Sequence, residues 1–266
     1  MKRSGFTLVE LLVVIAVIAL LVAILIPVLR NSKQRARAVS CSSNIRQLAF
    51  GMFMYESENQ TFPYGVYDTF VEPPGGYRVG SSSYDRMGWW WFHFIEEFYE
   101  KSNKRTMVIC CPSKRLNDSK LNNNILCGNY GVNRSICKSS VDVHNDKEEF
   151  VGKPLGSSDI PHPAQTLLIV DSGYTMISWW HVTNVPPVAL DSDSIEDNAY
   201  VPGLSINKDK GLWRGFKEDA IEGRHPSKTV NVGFADGTVA QRKADDLLVE
   251  KEGDAYMNRS PLWVPQ

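Results

Sequence analysis

Two hydrophobic rhythms meet near the start of this chain. From Phe6 to Leu29 the only polar side chains are Thr7 and Glu10. A helix over 6–29, rising about 1.5 Å per residue, reaches roughly 36 Å, enough to cross a hydrocarbon core. Beyond Pro27 the apolar residues thin into a stripe: Ala38, Cys41, Ile45, Leu48, Met52 and Tyr55 recur at alternating steps of three and four. That spacing puts them on one helical face. Ser42, Asn44, Arg46, Gln47 and Glu56 fall largely off it. The pattern predicts one helix to about Ser57, its first half bare of polar groups and its second half laid on a sheet.

The later pattern is that of an α+β head. Leu167–Asp171 is a short apolar run closed by an acid and reads as a central strand whose end is an ordinary turn. Val230, Val232 and Phe234 alternate before Asp236-Gly237, a strong hairpin signal because glycine accepts positive φ. Thr106–Ser113 reads as a short apolar strand ending at a proline turn, and Gly128–Asn133 as a glycine-punctuated edge or turn with a short strand after it. Trp89–Ile95 reads as a short helix over the sheet, and His93 within it as structural. Segments 61–88 and 179–215, rich in Pro, Gly, Ser and aromatics, are surface excursions. Residues 243–266 suggest a short helix and a docked tail.

Composition narrows the function. With 266 residues, 43% apolar and 11% aromatic, one sizeable head is affordable beyond the helix. A net charge of -1 argues against nucleic acid as the partner. Glu10 inside the apolar run costs about 2.5–3.5 kcal/mol on insertion scales, so it calls for a cation. The basic leader Met1–Gly5 is followed by an apolar run too long for an ordinary signal peptide. Arg30, Lys33, Arg35 and Arg37 follow the run and, by charge counting, compete with Lys2 and Arg3 for the cytoplasmic side.

Gly5-Phe6-Thr7-Leu8-Val9-Glu10 resembles the processing site of type IV pilin-like precursors. The resemblance implies cleavage by a prepilin peptidase between Gly5 and Phe6, N-methylation of the Phe6 amine, and a pairing of Glu10 with the Phe6 amine of a neighbouring subunit. Pro27 is similar to that family's helix-breaking proline, where a missing amide and a ring clash loosen the helix. Cys41-Ser-Ser-Asn44-Ile-Arg46-Gln47-Leu48 with Tyr55 and Phe62-Pro63, then Cys111-Pro112-Ser113 and Tyr130-Gly131-Val132-Asn133, are similar to a large subgroup of bacterial pseudopilin-like proteins. His225 followed by Asp236-Gly237 resembles the C-terminal signature of prepilin-type processing-associated proteins, with a gap of ten residues in place of nine. The site reads as a hairpin with a polar cap, the alternative being His225 turned toward Asp236.

The family reading is an α+β pilin-like subunit: leader 1–5, transmembrane half 6–29, amphipathic half 30–57, and an antiparallel head over 58–266. It implies a single pass through the bacterial inner membrane, a periplasmic head, and assembly with other pilin-like subunits on an inner-membrane platform into a secretion pseudopilus or related filament. An oxidising periplasm admits a disulfide, with Cys127–Cys137 as first choice among five cysteines; buried free thiols are the alternative. No Cys-x-x-Cys pair points to zinc. Asp191, Asp193, Glu196 and Asp197 crowd four carboxylates into one loop, the chemistry of calcium, though without EF-hand spacing. No other cofactor is expected. A second function class is a membrane-anchored or filament-tip binding module that recognises a polysaccharide or a secreted substrate through its aromatic excursions, Trp179 and Trp180 among them. An enzyme using His225 and Asp236 lacks a nucleophile or metal-ligand set.

Overall fold

The computed structural model describes residues 8–68, 71, 88–98, 106–141, 148–184 and 195–265. Helix α1 (Leu8–Asn59) runs without a break through Pro27. A single proline removes one amide from a helix already nucleated and apolar on both sides, and here that loss does not end it. Its buried residues are Ala38, Cys41, Ile45, Leu48, Ala49, Gly51 and Met52, the stripe expected from the spacing with the gaps filled in. Tyr55, at the end of that stripe, is only half-buried.

The strands are β1 (Val66–Tyr67), β2 (Trp89–Trp90), β3 (Tyr130–Asn133), β4 (Leu167–Asp171), β5 (Met176–Ile177), β6 (Thr229–Phe234), β7 (Val239–Lys243), β8 (Glu250–Glu252) and β9 (Ala255–Met257). The short helices are α2 (Trp91–Phe94), α3 (Thr106–Ile109), α4 (Ser119–Asn123) and α5 (Arg214–Glu222). The main sheet has the order β5-β3-β4-β6-β7. Its β3–β4, β4–β6 and β6–β7 pairs are antiparallel, as expected, but β5 lies parallel to β3. The link from β4 to β5 crosses the end of β3, where Cys127 bridges Tyr174 and the Gly128 amide donates to the Gly173 carbonyl. Carrying the chain over β3 in this way leaves β5 on its far side, antiparallel to β4.

Both faces of this sheet are covered. Helix α1 packs on one, against β4, β6 and β7, with Cys41, Ile45, Leu48, Val132 and Ile169 in the shared core. The C-terminal segment covers the other together with part of the 179–215 stretch, which was expected to be a surface excursion and is core instead: Val230, Val232 and Phe234 meet Trp179, Val201, Leu247 and Trp263. The alternation in β6 thus points three side chains away from α1. On the helix side Gly233 supplies room: a Cβ there would stand 2.8 Å from Ile169 Cγ2 and 3.0 Å from Ile45 Cγ2. The Asp236-Gly237 turn forms as expected, with Gly237 at φ 85°.

Two local readings are corrected. Thr106–Ile109 is the helical turn α3. It packs beside α1, and both sides of the neighbouring strand β3 are already filled by β4 and β5, so the run finds no open edge to join. Tyr130–Asn133, read as edge or turn, is that interior strand, buried at every residue. Residues 244–265 form a 3₁₀ turn, the β8–β9 hairpin and a docked Trp263, whose Nε1 donates to the Leu247 carbonyl.

Candidate functional site

Two features stand out against this fold. The first is the outer half of α1. Between Leu8 and Leu29 its large side chains are all exposed; Leu20 is 64% and Leu25 61% accessible. Among the described residues this is the one helix long and apolar enough to span a membrane. Glu10 lies in its first turn. Gly5 and Phe6 lie outside the described residues. Arg30, Lys33, Arg35 and Arg37 are exposed where the helix reaches the head.

The second feature is a buried polar cluster that the sequence reading did not foresee. Cys41 comes from the buried stripe of α1, Cys111 from the turn after α3, Asp171 from the end of β4, and His225 from the loop before β6. One donor atom from each lies within 4.8 Å of the others. Cys41 Sγ and Cys111 Sγ are 2.8 Å apart. His225 Nε2 is 3.1 Å from Asp171 Oδ2, and that oxygen also accepts from the Asn231 amide at 2.7 Å and Asn231 Nδ2 at 3.1 Å. Cys111 is fixed by its own amide, which donates to Asn129 Oδ1. Burial works against the His225 imidazolium, but hydrogen bonds to Asp171 and Cys111 outweigh it and push His225 up to about 9. Burial, first, and the bond from Cys41 hold the Cys111 thiol well above its ordinary range.

Beside the cluster sits a buried ion pair. The Arg224 guanidinium donates to both Asp219 oxygens at 2.7–3.0 Å and to the Asn129 and Ser172 carbonyls. Asp219 also accepts from the Tyr200 hydroxyl and the Arg115 amide. Every donor nitrogen of Arg224 is therefore committed within this knot, which ties α5 to the loops at 129 and 172.

Several expectations move. His225 meets Asp171, while Asp236 is exposed and caps its own turn by accepting from the Thr238 amide and hydroxyl. Asp171 is no ordinary strand end but fully buried. Cys127 and Cys137 are separate buried free thiols. They flank β3, and its four residues in extended form span about 13 Å, beyond the reach of a disulfide. Burial pushes the Cys127 thiol up to about 12. Asp191 and Asp193, two of the calcium candidates, lie outside the described residues. Glu196 accepts from the Tyr174 hydroxyl, and Asp197 is exposed. Trp179 is core: its Nε1 donates to Glu149, and the Arg259 guanidinium covers its ring at 4.4 Å, which leaves no free face for a sugar. Trp90, Trp91 and Phe92 are likewise buried. His93 accepts the Trp90 amide at Nδ1, the structural role expected.

Cys41 on the buried stripe, an acid closing an apolar strand and a histidine before β6 were each visible in the sequence. Their convergence was not, because it requires four distant segments to close on one another.

Comparisons with known proteins bear on the first feature. The family described as "Prokaryotic N-terminal methylation motif" matches residues 1–26. The family described as "Protein of unknown function (DUF1559)" matches residues 30–124. The type II secretion system core protein G of Escherichia coli is 36% identical over 62 residues, 23% of this chain and 43% of that protein. Its namesake in Aeromonas hydrophila is 34% identical over 62 residues, 23% of this chain and 43% of its own. The major component of the type IV wide pilus of Thermus thermophilus is 40% identical over 61 residues, 23% of this chain and 47% of that protein. The chain therefore spans less than half the length of these relatives. No solved structure matches. This chain carries the prokaryotic N-terminal methylation motif on a long apolar helix and is pilin-like over the stretch it shares with those proteins.

Proposed function

We propose that this protein is a non-enzymatic, pilin-like structural subunit of a secretion pseudopilus or type IV pilus-like filament. A prepilin peptidase cuts between Gly5 and Phe6, the Phe6 amine is methylated, and the apolar half of α1 holds the subunit in the inner membrane with its head in the periplasm. On an inner-membrane platform the outer halves of many α1 helices then exchange lipid for one another. Glu10 meets the Phe6 amine of its neighbour, because a carboxylate in hydrocarbon is tolerable only against a cation.

The observation that carries this reading is the outer half of α1, an apolar surface the head leaves wholly uncovered. Relatives named as secretion-system and pilus components support it, as does the methylation motif. The test is N-terminal and intact-mass analysis of native protein, with Glu10→Ala beside it. Processing predicts a chain that begins at methylated Phe6. Glu10→Ala should insert and be cut normally yet assemble poorly. A native chain still starting at Met1 beside an active peptidase, or normal assembly of Glu10→Ala, would overturn the respective step.

A further inference from the structure

The buried cluster has a chemistry of its own. We propose that Cys41, Cys111, Asp171 and His225 form a structural site for a divalent transition metal of zinc's class, which clamps α1 to the head. The donor set decides the class: two sulfurs, one imidazole nitrogen and one carboxylate oxygen suit a borderline-soft ion, whereas calcium and magnesium take oxygen alone. The spacing is of the right scale. A tetrahedral ion with bonds of about 2.0–2.3 Å sets its ligands roughly 3.3–3.8 Å apart. Here the nitrogen–oxygen pair stands at 3.1 Å and no donor is more than 4.8 Å from another. The sulfurs, 2.8 Å apart, need to part by about 1 Å to share an ion.

A second observation points the same way. Asp171 Oδ1 is buried with no hydrogen-bond partner on a side chain that is 0% exposed, so one carboxylate oxygen stands open to an ion. Buried polar groups left short of partners are uncommon, and an ion is one of the things that completes them. The nearest strong cation cannot serve instead, because Arg224 is consumed by Asp219 and two carbonyls. Supporting bonds are already in place: Asn231 holds Asp171 through two donors, and Asn129 holds the Cys111 amide. Such outer contacts orient metal ligands.

Four protein ligands and full burial leave no open position for a substrate, which marks the site as structural. A groove of about 420 Å³ between α1 and the β6–β7 hairpin, lined by Ala38, Ser42 and Asn231 among others, ends one side chain away from the cluster and offers an approach. The consequence is mechanical. A bound ion would join the helix to three head segments and fix the angle at which the outer half of α1 leaves the head, whether or not that half builds a filament.

The test uses the full chain in detergent, purified without chelator. Elemental analysis should find about one zinc per chain, absent in Cys41→Ser and Cys111→Ser and retained in Cys137→Ser, whose thiol is outside the cluster. Because the two cluster variants can also loosen the helix, the wild-type chain gives a second readout. Stripped and reloaded with cobalt(II), it should show thiolate-to-cobalt absorption and the strong visible bands of a tetrahedral ion. Reduced chain that takes up no cobalt would overturn the proposal. So would metal-free native protein lighter by about 2 Da with a mapped Cys41–Cys111 disulfide, which would make the pair a covalent tie instead.

Discussion

The two halves of α1 are built from the same kinds of side chain and meet opposite fates. Leu20 and Leu21 stand 64% and 61% exposed, while Ile45 and Leu48 are wholly buried. What differs is the arrangement of polar residues. In the outer half there are almost none, so every direction around the axis is apolar and no single protein face could satisfy it. In the inner half polar residues occupy the far side, so one sheet face is enough. The head's stability should therefore be deaf to the outer half and dependent on the inner one. The sharpest contrast pairs Leu48→Ala with Leu20→Ala. Leu48 sits in the core, and its truncation should cost about 2–5 kcal/mol of head stability by the usual transfer and cavity terms. Leu20→Ala should leave thermal unfolding of the head in detergent unchanged. Equal losses from the two would break the comparison.

The contact that makes the inner half different can be probed from the sheet. Gly233 lets β6 approach α1, and an added methyl would press on the branches of Ile169 and Ile45. Gly233→Ala should destabilise the head by about 1–3 kcal/mol, the ordinary cost of overpacking. Chemical denaturation would show it. Paired with Ile45→Leu, which removes the Cγ2 branch at the contact, part of the loss should be recovered. Strict additivity of the two would mean that the helix is not seated through this glycine.

Much of this architecture was legible because it is local. The stripe of α1, the buried run of β4, the alternation in β6 and the Asp236-Gly237 turn each declare themselves within one segment, through a period or a special φ. Thr106–Ile109 misled because a strand exists only where a neighbour has a free edge, and β3 has none. Asp171 and His225 misled for a related reason. Their partners come from residues 41, 111 and 231, and no window of sequence contains them. The Trp179 cluster fell between these cases: its aromatic content was plain, but only the fold shows Arg259 and Glu149 occupying the ring that a ligand would need.

Acid separates the two regions again, with the smallest expected effect. The described outer half, Leu8–Leu29, has Glu10 as its sole acidic or basic side chain, whereas the head holds two half-buried histidines that work as neutral acceptors. His181 Nδ1 accepts the Ser178 amide at 3.1 Å, and Lys210 Nζ donates to the His181 carbonyl. Burial, then the charges of Arg134 and Lys210, lower His181 to about 3 against a weaker opposing bond from Ser178. His93, lowered to about 4 by burial, behaves alike. Above about 6.5 these rings are neutral in both folded and unfolded chains, and stability is unaffected. As pH falls below that value the unfolded chain binds protons that the native head refuses until pH 4 to 3, so stability is lost progressively across the window. Carboxylates contribute to acid unfolding too, so the diagnostic is a difference. Between pH 6.5 and 4.5, His181→Asn should flatten the dependence of unfolding free energy on pH by up to about one proton relative to wild type. Identical slopes would mean that His181 is solvated and titrates normally in the native head. The capping role given it by the Ser178 contact would then fail with it.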